Sequence, residues 1–131
     1  MSFPYFSMDY ATAWGILLLR VVVGIIFIVH SLPKLRKPES MAQAMGWPKN
    51  LPTTLGLVEV VAGGLLILGY FIQYASLAVM IDMVGAIYYK IFKWRMPFFA
   101  PDKTGWELDL LLFASGLLIY LSQGGGLGMG I

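Results

Sequence analysis

The chain has no cysteine among its 131 residues. Disulfides, thiolate metal centres and iron–sulfur clusters are therefore excluded within it, as is thiol–disulfide chemistry by its own residues. A single histidine excludes an internal bis-histidine haem as well. Charge is scarce: Asp, Glu, Lys and Arg make up 12% of the chain, against about a quarter in a water-soluble domain. Apolar residues take their place, at 59% of the chain with a mean hydropathy of +0.78. A chain of this length has room for one domain. Its hydrophobicity runs along nearly all of it rather than in one anchor, which points to an all-α, polytopic membrane protein. The N-terminal MSFPYFSMDY has no basic region and leads into an apolar run too long for a signal peptide, so that run reads as a retained span.

A helix needs about 20 mainly apolar residues to cross a hydrocarbon core of roughly 30 Å. Four stretches qualify, at about 11–32, 53–71, 73–92 and 106–122. Together they predict an antiparallel four-helix bundle in a single membrane domain, 1–131. Pro33 is expected to stop the first span, since proline cannot continue the hydrogen-bond ladder. Pro52 suits the first turn of the second. The second and third spans meet near Gly69–Gln73, which predicts a tight hairpin. PESMAQAMGW, at about 38–47, reads as a short amphipathic stretch at the interface. GGGLGMG, at 124–130, follows no strand and opens no helix, so it reads as a flexible tail rather than a nucleotide loop.

Eight of the nine Lys and Arg residues lie in or beside the first and third loops: Lys34, Arg36, Lys37, Lys49, Lys90, Lys93, Arg95 and Lys103. With four spans those loops share one side. The positive-inside rule places them in the cytoplasm and both termini outside, in a multi-pass protein of the cell (plasma) membrane.

The ninth basic residue, Arg20, stands inside the apolar run LLLRVVVGIIFIVH, 17–30. A mid-span arginine costs about 2.5–3.5 kcal/mol on insertion scales, and such residues face the bundle interior and pair. The candidate partners are Glu59, Asp82, Glu107 and Asp109. At about 1.5 Å per residue, Asp82 matches Arg20 best in height, and Glu59 stays within arginine's reach. His30, Lys90, Glu107 and Asp109 form a lower tier, so the spans carry a polar track from the basic loops to mid-membrane. Glu59 shares a helix face with Gly56 and Gly63, and Asp82 with Gly85 and Tyr89; small residues mark close helix contacts in membranes. The plain alternatives are a structural Arg20–acid pair, an interfacial His30, and lysines that only set topology.

The order and spacing of LLLRVVVGIIFIVHSLPKL, GLVEVVAGGLLILG, AVMIDMVGAIYY and GWELDLLLFASGLLIYLSQGGG resemble the DoxX/DoxD family of small four-helix membrane proteins over about residues 15–125. The resemblance implies a membrane partner of oxidoreductases, in some members part of a thiosulfate:quinone oxidoreductase. Arg20, Glu59 and Glu107 are the polar positions aligned with the family pattern. Ser31 stands where glycine commonly follows the histidine, and the tail lacks the usual acidic ending.

Two functions from different classes follow. The first is an integral subunit of a membrane-bound oxidoreductase with a quinone or proton-handling site among its helices. Arg20 would polarise a quinone oxygen and Glu59 or Asp82 would exchange a proton, while Glu107 belongs to the lower tier. Phe27, His30 and Tyr89 would surround the ring. Intramembrane carboxylates mark proton relays, and electrons would come from a partner, since the chain carries no redox centre of its own. The second is a non-enzymatic scaffold or lipid-binding module; a dimeric transporter is a third. Expected partners are the lipid bilayer, a redox subunit and a second copy of the chain, with no nucleic acid, no metal and no covalent cofactor.

Overall fold

The structure is a computed structural model that describes residues 10–99, 101 and 105–126. Five α-helices follow one another: α1 (Tyr10–Arg36), α2 (Pro38–Met45), α3 (Leu51–Leu68), α4 (Ile72–Tyr88) and α5 (Glu107–Ser122). A π-helical turn, Tyr89–Lys93, extends α4, and a 3-10 turn, Gln123–Gly126, closes α5. There is no strand among the described residues. Four of these helical stretches are long and apolar enough to cross a membrane: Tyr10–Arg36, Leu51–Leu68, Ile72–Lys93 and Glu107–Gly125. The protein is a multi-pass membrane protein.

Local sequence sets the ends of these helices. α3 begins Leu51-Pro52, where the missing proline N–H has no ladder partner to lose, and stops at Gly69, which takes a left-handed φ of 85°. The amides of Gly69 and Tyr70 both return to the Leu65 carbonyl, at 2.8 and 3.1 Å, and α4 starts at once, making the hairpin. α1 does not stop at Pro33: it runs on to Arg36, and the Lys37 amide donates to the Pro33 carbonyl at 3.0 Å. Proline lacks only its own N–H, so a single bond is lost in the last turns and the helix continues. α2 realises the amphipathic stretch as eight residues, with Pro38 in its first turn and Gly46 left-handed after it.

α1 packs against α3 and α4 against α5, with the hairpin joining the two pairs. Glycine sets the first contact. A Cβ added at Gly24 would lie 2.5 Å from the Gly63 carbonyl oxygen, and one at Gly63 would lie 2.6 Å from that of Gly24. The two backbones therefore touch, as small residues allow in membrane helices. Val23, Phe27, Leu66, Val79, Leu112 and Ile119 fill the centre. The outward stripe of α1 is apolar too: Trp14, Leu18, Val22, Ile25 and Val29 are exposed at steps of three and four, a face suited to lipid. The buried hydroxyls of Ser31, Ser76, Ser115 and Ser122 each donate to a carbonyl of their own helix, so they need nothing from the surrounding lipid.

The antiparallel arrangement gives the bundle two unlike ends. The basic end carries the loops after α1 and α4. The opposite end carries the start of α1, the α3–α4 hairpin and the Gln123–Gly126 turn.

Candidate functional site

Side chains on a helix lean toward its N-terminus. For α1 and α4 that is toward the end opposite the basic loops; for α3 and α5 it is toward the basic end. This direction decides which charges meet. Lys34, near the end of α1, leans inward, and Glu59 on α3 leans down to it. The Lys34 ammonium reaches both Glu59 carboxylate oxygens at 2.8 Å. Lys90, in the π turn, leans inward to Asp109 in the first turn of α5, 2.7 Å away, and also donates to the Gly105 carbonyl at 3.2 Å. Glu59 is 3% exposed and Asp109 7%. These are interior ion pairs, one within each pair of helices.

Arg20 leans the other way. Its Nη1 donates to the Gly124 carbonyl at 3.0 Å, and the residue is 1% exposed. The expected pairing of Arg20 with Asp82 or Glu59 is thus not the one formed. Height along the membrane matched those residues, but Arg20 leans away from the basic end while Glu59 leans toward it and already holds Lys34, and Asp82 lies with Glu59. The acceptor lies in the glycine stretch read as a flexible tail. Instead, Gly124 and Gly125 are buried, with φ of 73° and 82°. A Cβ at Gly124 would come within 2.5 Å of Ile72 Cδ1, and one at Gly125 within 3.0 Å of the Ala13 carbonyl oxygen. The carbonyls at a helix C-terminus carry partial negative charge, which suits a guanidinium. The rest of that stretch, 127–130, lies outside the described residues.

Between the ion pairs, at the basic end, is a cavity of about 510 Å³. Its walls come from α1, α2, α3, α4 and α5 together. Glu59 and Asp82 line it with Phe27, His30 and Tyr89 from the sequence-based set, and with Lys34, Lys90 and Asp109. Arg20 and Glu107 do not line it; Glu107 begins α5, its amide donating to the Phe98 carbonyl at 3.1 Å. Asp82 lies within hydrogen-bonding reach of Glu59. Two carboxylates so placed are stable together when a proton lies between them. The Asp82 oxygen Oδ2 is buried and without a hydrogen-bond partner among the described residues. Gly85 leaves open space on the same wall: an added Cβ there would meet nothing within 4 Å. This glycine widens the cavity rather than seating a helix.

Aromatic rings line the basic-end part of the wall. Trp47, just after α2, meets Tyr89 edge-on at 5.7 Å between centroids and Trp94 at 6.3 Å, while Tyr89 and Trp94 are 5.6 Å apart. The π turn helps assemble them. The Trp94 amide donates to the Tyr89 carbonyl, five residues back, at 2.8 Å. Tyr89 and Lys90 are adjacent in sequence, yet both line the cavity. Such turns occur frequently at functional sites. The Trp47 indole Nε1 is buried and also lacks a hydrogen-bond partner among the described residues.

Sequence reasoning missed the tryptophans and read Lys34 as a topology signal. A signal for Lys34 existed: it follows Phe27 by seven and His30 by four, on the same face. The π turn that gathers Tyr89, Lys90 and Trp94 has no sequence signature we can identify.

The sequence pattern of the DoxX family matches residues 15–93. A Bacillus subtilis protein called "Putative oxidoreductase CatD" is 30% identical over 111 residues, covering 82% of this chain and 78% of that one. An uncharacterized protein of Haemophilus influenzae is 34% identical over 112 residues, covering 82% of this chain and 81% of the other. The uncharacterized membrane protein Rv3486 of Mycobacterium tuberculosis is 30% identical over 79 residues, 56% of this chain and 48% of its own. No solved structure matches the chain significantly.

Proposed function

The chain belongs to the DoxX family, and from that premise we propose that it is the integral membrane subunit of a membrane-bound oxidoreductase, with the charged cavity as its quinone- and proton-handling site. The observation that carries this reading is a largely apolar cavity of about 510 Å³ whose wall holds Trp47 Nε1 and Asp82 Oδ2, buried polar atoms with neither a hydrogen-bond nor an ion-pair partner among the described residues. A quinone headgroup is a flat apolar ring with hydrogen-bond acceptors at its edge. The wall offers what such a ring needs: the rings of Phe27 and Tyr89, an unused donor at Trp47, and a carboxyl pair able to exchange a proton. A bound quinone would supply the electron acceptor that the chain's own residues lack. Arg20, assigned in the sequence reading to polarise a quinone oxygen, is replaced in this role by Trp47.

The chain's own residues then divide the work. Trp47 and Tyr89 hold and orient the ring. Glu59 and Asp82 keep a proton at the inner wall, and intramembrane carboxylates commonly serve such relays. Lys34 and Lys90 neutralise Glu59 and Asp109 and fix their positions. His30, exposed beside the cavity, stands where protons would pass between the site and water. By the positive-inside rule the basic end faces the cytoplasm of the cell membrane, so protons would be taken from that side. The name of the Bacillus subtilis relative supports the oxidoreductase class and goes no further.

The test is quinone-dependent electron transfer by membranes that carry the chain, with its partner subunit purified alongside in mild detergent. Asp82→Asn is expected to lower that activity at least about tenfold with the protein still inserted. Recovery of the chain without a redox subunit, together with unchanged activity in Asp82→Asn membranes, overturns the proposal.

A further inference from the structure

The cavity wall carries more carboxylates than ammonium groups. Among the described residues lining it are three carboxylates, Glu59, Asp82 and Asp109, and two ammonium groups, Lys34 and Lys90. Both ammonium groups are engaged, Lys34 by Glu59 and Lys90 by Asp109. Asp82 is left, close to Glu59 and with a buried oxygen, Oδ2, that has no hydrogen-bond partner among the described residues. Inside a low-dielectric wall an uncompensated carboxylate is costly. The wall is neutral with a proton on the Asp82–Glu59 pair, and equally with a positive ligand beside it.

The surroundings specify that ligand. A metal ion is a poor fit, because no group of His, Asp and Glu among the described residues could hold one. An anion is excluded by the engagement of both lysines. A cation with an apolar body fits: Trp47, Tyr89 and Trp94 present faces and edges of the kind that attract organic cations. Tyr89 follows Asp82 by seven residues, about 10 Å along the helix, so a bulky ligand spans from carboxylate to rings. We infer that the cavity exchanges a proton for a lipophilic organic cation. On binding, the carboxyl O–H of the Asp82–Glu59 pair breaks, its proton passes to water, and the cation rests against the carboxylate left behind. The groups facing that carboxylate are Glu59 on α3, Lys34 and His30 on α1, Asp109 on α5 and Lys90 beyond its own helix. The inference rests on the same cavity as the proposed function but not on the oxidoreductase assignment.

Tetraphenylphosphonium is the probe, since it carries a permanent charge and no proton of its own. Binding to the full-length chain in detergent is measured by equilibrium dialysis, and proton release by calorimetry in buffers of different ionisation enthalpy. The expected result is binding at least about tenfold tighter than that of tetraphenylborate, the anion of the same shape, with about one proton released per cation. Asp82→Asn is expected to remove the proton release and weaken binding about tenfold. If that variant does not fold, Gly85→Leu tests the same cavity without altering a charge and is expected to weaken binding similarly. Equal binding of cation and anion, binding without proton release, or unaltered binding by the folded variants overturns the inference. A chain that binds the phosphonium but gives no quinone-dependent activity keeps this inference and removes the oxidoreductase reading; the reverse result does the opposite.

Discussion

The two ends of the bundle bury charge by different means. At the end opposite the basic loops, the Arg20 guanidinium meets a backbone carbonyl in a space lined by glycines, with Ile72 against them. At the basic end, carboxylates and ammonium groups answer each other across a cavity with room for a ligand. In the first arrangement glycines pack close against their neighbours, with Arg20 Nη1 on the Gly124 carbonyl. The second is open and keeps a polar oxygen unsatisfied. Burial of a charge therefore does not by itself mark a site; unfilled volume beside the charge does.

The largest effect that separates the two ends is expected at the lysines. Lys34→Met leaves Glu59 buried without its cation, and breaking such a pair costs about 3–5 kcal/mol. Lys90→Met is expected to cost less, because Asp109 lies in the first turn of α5, where helix amides and dipole favour a carboxylate. Thermal unfolding in detergent checks the order, and a greater loss for Lys90→Met would undo the picture of the cavity. Next comes Arg20→Met. It removes a hydrogen bond from a charged donor, about 1.5–3 kcal/mol, and is expected to leave phosphonium binding at the far end within about twofold. A loss of binding equal to that of Asp82→Asn would merge the two ends into one site. The smallest effect is expected for Gly124→Ala. The left-handed backbone costs an L-residue about 1–2 kcal/mol, and Ile72 must shift to admit the methyl group. An unaltered unfolding temperature would mean that the closing turn does not hold Arg20.

Much of the architecture was legible because composition and periodicity carry it. Four apolar runs, Pro52 and Gly69 as punctuation, and glycines at helix crossings are properties of the sequence alone. Glu59, Asp82, Phe27, His30 and Tyr89 could be gathered from helix faces. The partner of Arg20 could not. Heights along the membrane follow from counting residues, but an arginine spans several ångströms, and the tilt of its bond toward the helix N-terminus chose the opposite end. The glycine stretch misled for a related reason: glycines permit a mobile chain and a tightly seated turn equally, and only the neighbouring Ile72 and Ala13 decide between them. The π turn brings Tyr89 and Trp94 against Trp47, a residue from a distant loop, and no local pattern marks it.

Arg20 finds its acceptor 104 residues later in the chain. During synthesis the first span must enter the bilayer before that carbonyl exists, so the guanidinium waits, inserted but unanswered by Gly124, until the fourth span follows. The fourth span therefore acts as a latch on the first: Arg20 is held there only once that span has been made.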